Sequence, residues 1–108
     1  MSLIQRSAGR ITRWELHSFP ANPDLCVSTR CVTHPLYRQR GEGTHAHANR
    51  LGIAHGLGYS GILCTVNDSN EIERHILESF GWNKAFSFNN FEGEGVSLYA
   101  KDITKNDW

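Results

Sequence analysis

The chain has 108 residues, the length of one domain, and 39% of them are hydrophobic and 20% charged, as in an ordinary globular protein rather than a disordered one. The formal net charge is zero, which argues against a nucleic-acid partner, because proteins held to nucleic acid mainly by charge carry a basic excess. No apolar run is long enough to cross a membrane and no apolar leader opens the sequence, so we expect a cytoplasmic protein with no membrane partner.

The first half of the chain predicts a hairpin, a crossover helix and a central strand. Residues 11–19 and 25–34 are rich in β-branched and aromatic residues and are separated by the turn-forming stretch PANPD, which predicts two antiparallel strands. The apolar residues of 43–57 cover a wide arc, which predicts a helix buried over much of its circumference. The apolar run GILCTV at 61–66 is typical of a parallel strand covered on both faces.

The second half predicts another helix and another hairpin. Residues 70–80 show a helical apolar face, and Asp68 with Glu71 three residues later would form a capping box. Residues 84–91 and 95–103 alternate as strands and are joined by the loop EGEG. The predicted order is β-β-α-β-α-β-β, an α/β (α+β) fold with a mixed sheet, and the whole chain is predicted to be a single domain.

The cysteine and histidine residues predict neither a disulfide framework nor a metal site. The three cysteines, Cys26, Cys31 and Cys64, form no C-x-x-C pair, so we expect buried free thiols. Of the six histidines, His45 and His47 are two apart on a predicted helix and point about 200° away from each other. They cannot share one ion, and we expect structural or solvated histidines and no metal.

The stretch RQRGEG, residues 38–43, lies between a predicted strand and a predicted helix and indicates an anion-binding site. The first N–H groups of a helix lack internal partners and carry partial positive charge. Gly41 and Gly43 leave the backbone open to close approach, and Arg38 and Arg40 can add charge-assisted hydrogen bonds. The spacing matches neither a P-loop nor a dinucleotide-binding fingerprint.

This R-x-x-G-x-G pattern resembles the pyrophosphate-binding signature Q/R-x-x-G-x-G/A of the GNAT superfamily of N-acetyltransferases, and Pro35 stands at the spacing that the family shows before it. A second GNAT pattern, N-x-x-A-x-x-L-Y-x-x-x-G-F, resembles the second predicted helix. Four residues fit its Asn, aliphatic, Gly and aromatic positions: Asn70, Ile76, Gly81 and Trp82. The resemblance covers residues 11–103 and implies a GNAT-like sheet whose two central parallel strands splay apart around a CoA site.

By this resemblance the cosubstrate is acetyl-CoA, and no metal is implied. The pyrophosphate would be held by seven consecutive residues, chiefly through backbone N–H groups: Arg38, Gln39, Arg40, Gly41, Glu42, Gly43 and Thr44. The pantetheine arm would pair with the backbone of three strand residues like an added strand: Cys31, Val32 and Thr33. A backbone N–H near Val32 would polarise the thioester carbonyl. Asn70 would contact the pantetheine arm, although it is equally suited to cap the helix.

The resemblance further implies that a primary amine, on a small molecule or a protein, attacks the thioester directly. The amine must lose a proton, because alkyl amines are mostly protonated at neutral pH. Candidate bases lie on or at the end of the hairpin strands: Glu15, His17 and His34. Leu77 stands where many family members have a proton-donating tyrosine, so the acid would be Tyr99, Ser79 or solvent.

Departures from the family patterns leave a second interpretation open. Glu73 replaces the usual alanine, Leu77 replaces the usual tyrosine, and Glu42 replaces a small or apolar residue. The predicted order also lacks the strand and two helices with which family members usually begin. The alternative function is a CoA-binding protein that does no chemistry and acts as a sensor or a partner-binding inhibitor. The short N-terminus would also leave residues 11–19 as an exposed sheet edge, which predicts a homodimer that shields this edge or completes the acceptor site.

Overall fold

The computed structural model describes residues 1–7, 12–33 and 42–105, and the side chains of residues 1–7, 13–29 and 45–105. Within these residues it contains eight elements in chain order: β1 (Leu3–Arg6), β2 (Thr12–Ser18), β3 (Leu25–Thr33), α1 (Glu42–Gly56), β4 (Gly61–Asn67), α2 (Glu71–Ser79), β5 (Asn83–Asn89) and β6 (Gly95–Asp102). The predicted strands and helices are all present. The short strand β1 is an addition that the sequence analysis missed.

The six strands form one mixed sheet in the order β1-β2-β3-β4-β6-β5. Neighbouring strands pair antiparallel, except for β3 and β4, which run parallel and are connected through α1. Strand β2 pairs with both β1 and β3. The prediction that residues 11–19 form an exposed edge is therefore wrong, and in the described sheet the edge strands are β1 and β5.

Both helices pack against the same face of the sheet, and the core lies between them and the strands. The buried strand residues that share this face are Trp14, Leu16, Cys26, Ile62, Cys64, Val66 and Tyr99. The helices contribute Leu51, Ala54 and Leu77. Burying a side chain of this size contributes about 1.5–3 kcal/mol, so this layer is what holds α1 and α2 in place.

The predicted buried free thiols are confirmed at two of the three positions. Cys26 and Cys64 are buried and form no disulfide, and burial raises the pKa of the Cys26 thiol to about 11. The side chain of Cys31 lies outside the described residues.

The opposite face of the sheet carries neither of the two described helices. Phe86 and Phe88 of β5 stand on it, 61% and 40% exposed, with their ring centroids 6.0 Å apart. They pair across the strands with Leu98 and Val96. Thr65 of β4 is exposed on the same face, so the prediction that this strand is covered on both faces is wrong.

Helix α1 buries a narrow stripe rather than most of its surface. Four residues at the spacing i, i+3, i+4, i+7 are buried: His47, Arg50, Leu51 and Ala54. Gly52 is exposed and Leu57 is 50% exposed, so the predicted burial over a wide arc is wrong. The apolar pattern predicted too much burial because four of its members are only partly buried or exposed: Ala46, Ala48, Ile53 and Leu57.

Replacing Gly52 by Ala should raise the free energy of unfolding by about 0.5–1 kcal/mol, because glycine inside a helix loses more backbone entropy than alanine. A Cβ added there meets nothing within 4 Å. Urea denaturation of the wild type and the variant measures the difference. Gly58→Ala is the matched control: a Cβ there also has open space, but φ is +92°, so that variant should be destabilised. Equal effects of the two substitutions would contradict this account.

Helix α2 begins at Asn70, whose side-chain Oδ1 accepts a hydrogen bond from the backbone N–H of Glu73 at 3.2 Å. The predicted capping box of Asp68 and Glu71 is therefore wrong. Asp68 instead accepts a hydrogen bond from the hydroxyl of Ser97 at 2.5 Å. This tertiary contact with β6 takes the place of the predicted contact with the helix.

Helix α2 ends in a Schellman motif. Gly81 adopts φ of +86°, its N–H donates to the Glu78 carbonyl at 3.0 Å, and the Trp82 N–H donates to the Leu77 carbonyl at 3.1 Å. Leu77 and Trp82 are both buried, as this motif favours. The prediction that Gly81 ends the helix is confirmed.

Candidate functional site

The two parallel strands in the middle of the sheet separate partway along their length. Strands β3 and β4 pair at three positions, where Leu25, Cys26 and Val27 lie opposite residues 61–63. Both strands continue beyond this, β3 to Thr33 and β4 to Asn67, but no further pairing between them is described. The splaying predicted for the central strands is confirmed, and it opens a gap at their carboxyl ends.

A cavity of about 300 Å³ lies in this gap. Its described lining comes from both strands, from α1, and from the start of α2: Ser28, Thr29, Arg50, Cys64, Thr65, Val66, Asn67, Ser69, Asn70 and Glu73. Most of these side chains carry hydrogen-bonding groups. A cavity with this lining suits a ligand with several polar groups better than a purely apolar one.

Arg50 of α1 is buried at the wall of the cavity, with only 2% of its surface exposed. One guanidinium nitrogen, Nη1, donates to the hydroxyl of Ser28 at 2.8 Å, and Nη2 contacts the ring Nδ1 of His47. The buried Nε of Arg50 has no hydrogen-bond partner, and neither does the buried Oγ1 of Thr29. Unpartnered buried polar atoms cost about 1–3 kcal/mol each, so these two atoms indicate a place where a ligand completes the hydrogen bonding.

His47 connects Arg50 to the end of α2. Its Nε2 accepts a hydrogen bond from the indole N–H of Trp82 at 2.8 Å, and its ring packs edge-on against Phe80 with centroids 4.6 Å apart. Burial, and then the charges of Arg50 and Lys101, lower the pKa of His47 to about 3. The imidazole is therefore neutral at physiological pH, and its Nδ1 side lies against Arg50.

Glu73 of α2 supplies the carboxylate among the described residues of the cavity wall. Its Oε1 lies 3.9 Å from Nη2 of Arg50, and its side chain is 21% exposed. Burial raises the pKa of Glu73, while the positive charge of Arg50 opposes the rise. A carboxylate and a guanidinium thus face each other across the two helices at the cavity.

Three of the predicted site residues have described side chains. Asn70 lines the cavity and also caps α2. Glu15 of β2 binds Nε2 of His17 at 2.9 Å and lies 3.7 Å from Nε of Arg6, away from the cavity wall. The hydroxyl of Tyr99 donates to Glu78 at 3.0 Å, and burial, followed by that hydrogen bond, raises the pKa of Tyr99.

The other predicted site residues fall partly or wholly outside the described residues. Cys31, Val32 and Thr33 lie in β3, and Glu42, Gly43 and Thr44 lie in the first turn of α1, with no side chains described. Outside the described residues altogether are His34, Arg38, Gln39, Arg40 and Gly41. Helix α1 begins at Glu42, within the predicted phosphate-binding stretch and one residue before the predicted helix start.

Sequence reasoning missed Arg50 and did not connect Glu73 with the cavity. A signal for Arg50 existed, because it lies at i+3 from His47 and directly before Leu51 on the stripe that packs on the sheet. No local signal places Glu73 beside it, since their contact joins two helices separated by a strand.

Neither a metal centre nor a membrane span is present in the described part of the chain. Residues 1–7, 12–33 and 42–105 contain no group of three or more His, Cys, Asp or Glu residues placed to hold a metal ion. Neither α1 nor α2 has the length and apolar character needed to cross a membrane.

The chain is similar to known proteins in its three-dimensional structure. No protein-family model matches the chain, and no curated protein sequence matches it significantly. Among solved structures it is similar to the ribosomal-protein-S18-alanine N-acetyltransferase from Escherichia coli, with a TM-score of 0.76, 18% identity, and coverage of 92% of this chain and 66% of that one.

Two further structures show the same likeness. An IAA acetyltransferase from Bacillus cereus has a TM-score of 0.80 at 12% identity, with 93% of this chain and 75% of that one covered. An acetyltransferase of the GNAT family from Bacillus anthracis has a TM-score of 0.76 at 16% identity, with 88% and 60% covered. The chain thus spans less than two thirds of the length of two of these three proteins, 66% of the Escherichia coli enzyme and 60% of the Bacillus anthracis one.

Proposed function

The chain has the fold of the GNAT-family N-acetyltransferases, and from that premise we propose that it transfers acetyl from acetyl-CoA to a primary amine by direct attack. The observation that carries the proposal is the separation of β3 and β4 after three paired positions, with a polar cavity in the gap. A sheet that opens between two parallel strands offers backbone groups to an extended ligand, as an added strand would use them.

The lining of the cavity fits the pantetheine arm of CoA. That arm carries two amides and a hydroxyl. These groups can accept a hydrogen bond from Nε of Arg50 and can both donate to and accept from Oγ1 of Thr29, the two atoms at the cavity wall that are buried without a partner. Asn70 lines the same cavity. The backbone of Cys31, Val32 and Thr33 would pair with the arm along β3, and an N–H near Val32 would polarise the thioester carbonyl.

The pyrophosphate would lie at the N-terminus of α1. The helix begins at Glu42, so the N–H groups of its first turn lack partners within the helix and carry the positive end of its dipole. Arg38 and Arg40 precede it in the sequence and would add charge-assisted hydrogen bonds to the phosphate oxygens. This assignment also includes Gln39, Gly41, Gly43 and Thr44.

The reaction needs a base for the amine and a route for a proton to the departing thiolate. Glu15, His34 and Tyr99 are the candidates from the sequence. The raised pKa of Tyr99 keeps its hydroxyl protonated at neutral pH, as a proton donor requires. Because a thiol has a pKa of roughly 8.5, its thiolate leaves without strong assistance, and solvent can also supply that proton.

A second candidate function is a protein that binds CoA without turnover and acts as a sensor or a partner-binding inhibitor. It is favoured by Leu77, which is fully buried against the core where many family members place a tyrosine. A thiol-release assay with acetyl-CoA and putrescine, free lysine or trialanine, run beside a calorimetric titration with CoA, separates the two. Binding with release supports the enzyme, and binding without release on any amine supports the sensor.

Replacing Arg40 by Glu should weaken CoA binding about 10- to 100-fold, because one hydrogen bond between charged groups contributes about 1.5–3 kcal/mol. Isothermal titration calorimetry with CoA measures the change. Arg13→Glu makes the same charge change at an exposed position of β2 and should leave the affinity within about twofold. Equal affinities of wild type and Arg40→Glu would place the phosphates elsewhere and contradict this assignment.

The proposal also includes that the protein is cytoplasmic and forms a homodimer. The exposed-edge argument applies to β1 rather than β2, since β1 pairs with β2 on one side and is an edge strand of the described sheet. Light scattering at micromolar concentration tests the dimer, and a monomer there would contradict it.

A further inference from the structure

Glu73 occupies an unusual place for a helix-surface carboxylate. It stands in the first turn of α2, but its side chain turns toward α1 and the cavity rather than back to the N-cap. Its backbone N–H is held by Asn70 at 3.2 Å, which fixes the residue at the cavity wall. The geometry therefore presents a carboxylate to whatever the gap between β3 and β4 binds.

We propose that Glu73 is a catalytic base of the acetyl transfer, receiving the proton that the attacking amine gives up at the cavity. This inference rests on the proposed function and names a residue that the sequence reasoning did not consider for the role. Glu15, the carboxylate considered there, is paired with His17 and Arg6 instead. Glu73 lines the cavity together with Thr29 and Arg50.

The groups around Glu73 suit a base. Arg50 faces it from α1 at 3.9 Å, and Cys64 is the titratable group that β4 adds to the cavity wall. The described wall from β3 and from the β4–α2 turn consists of hydroxyls and amides, which do not titrate: Ser28, Thr29, Asn67, Ser69 and Asn70. Burial raises the pKa of Glu73, which makes its carboxylate a stronger proton acceptor than an exposed one.

The step balances without any further reactant. The attacking species is the neutral amine. Its nitrogen forms a bond to the thioester carbonyl carbon, and the carbon–sulfur bond breaks with its electron pair leaving on sulfur. The proton lost by the nitrogen passes to the Glu73 carboxylate and then to the thiolate, directly or through water. The products are the acetylated amine and CoA thiol, and the Glu73 carboxylate is regenerated.

The first test is Glu73→Gln, assayed by thiol release with acetyl-CoA and whichever of putrescine, lysine and trialanine the wild type accepts fastest. We expect kcat to fall about 100-fold or more, while the affinity for CoA measured by calorimetry stays within about threefold. Glu71→Gln is the matched control and should keep wild-type activity, because Glu71 is exposed and points about 200° around the helix from Glu73.

The pH dependence of kcat separates a base from a structural role. Activity should be lost as the pH falls through the pKa of Glu73, because only the carboxylate accepts a proton. The positive charge of Arg50 lowers that pKa. Arg50→Met should therefore move the acidic limb of the kcat–pH profile to higher pH, and Arg50→Lys, which keeps the charge, should move it less. An acidic limb that is unchanged in Arg50→Met would overturn the assignment.

Four other outcomes bear on this assignment. Full activity in Glu73→Gln, or a wild type that binds CoA without turnover, would overturn the role of Glu73 and leave CoA binding intact. A loss of CoA affinity in Glu73→Gln that matches its loss of activity would also overturn it, because the residue would then serve binding. A wild type that binds no CoA would overturn the proposed function itself.

Discussion

Lowering the pH from 7 to 4 should reduce the free energy of unfolding by about 3 kcal/mol through His47 alone. Burial, and then the charges of Arg50 and Lys101, lower the pKa of His47 from 6.5 to about 3 in the folded protein. The neutral ring has one acceptor nitrogen, Nε2, which accepts from the Trp82 indole N–H, and its Nδ1 lies against the Arg50 guanidinium. A second proton on the ring would displace the Trp82 hydrogen bond and stand beside a positive charge. Between pH 6.5 and 3 the imidazole therefore takes up a proton only when the chain unfolds, and the stability is lost over that window.

Urea denaturation at pH 7, 6, 5 and 4 measures this loss. His47→Gln removes the titration while keeping an oxygen that can accept from Trp82, so its stability should be lower than the wild type at pH 7 and should fall less steeply toward pH 4. His75→Gln, at an exposed position of α2, controls for the substitution itself. Parallel pH dependences in the wild type and His47→Gln would show that His47 is protonated in the folded state.

Replacing Leu77 by Ala should destabilise the protein by about 2–5 kcal/mol, because the removed methyl groups leave a cavity that the packed core cannot fill. Leu77 has no exposed surface, and its carbonyl accepts the Trp82 N–H that closes the end of α2. Loss of its packing therefore weakens the attachment of the helix that carries Asn70 and Glu73.

Ile72→Ala on the same helix is the matched control for Leu77→Ala. Ile72 is 58% exposed, so its truncation should change the free energy of unfolding by about 0.5 kcal/mol or less. Thermal or urea denaturation of the pair measures both effects under the same conditions. Comparable losses in the two variants would mean that α2 does not dock through Leu77.

The main strands and helices were predictable because their signals are local. The turn stretch PANPD, the apolar run of residues 61–66, and the helix-ending Gly81 each act through a few neighbouring residues. The pattern at residues 38–43 also predicted where α1 would begin. The splaying of β3 and β4 followed from the resemblance to GNAT proteins rather than from these local signals.

The features that escaped prediction depend on contacts between distant parts of the chain. Strand β1 is only four residues long and exists by pairing with β2, which no local pattern indicates. Arg50 is buried because Ser28, 22 positions away, accepts its hydrogen bond at 2.8 Å. Asp68 looked like a helix cap, but its carboxylate binds Ser97 of β6. In each case a tertiary partner outweighs the local preference.

Strands β3 and β4 pair at only three described positions. The boundary between them, here called the seam, therefore divides the sheet into two three-stranded halves, or ribbons, that share few backbone hydrogen bonds. One ribbon comprises β1, β2 and β3, and the other β4, β6 and β5. A molecule that lies along the open part of the seam would bond to both ribbons and fasten them together. Binding of such a molecule would therefore raise the free energy of unfolding, and in a cell the lifetime of the folded protein would follow the concentration of that ligand.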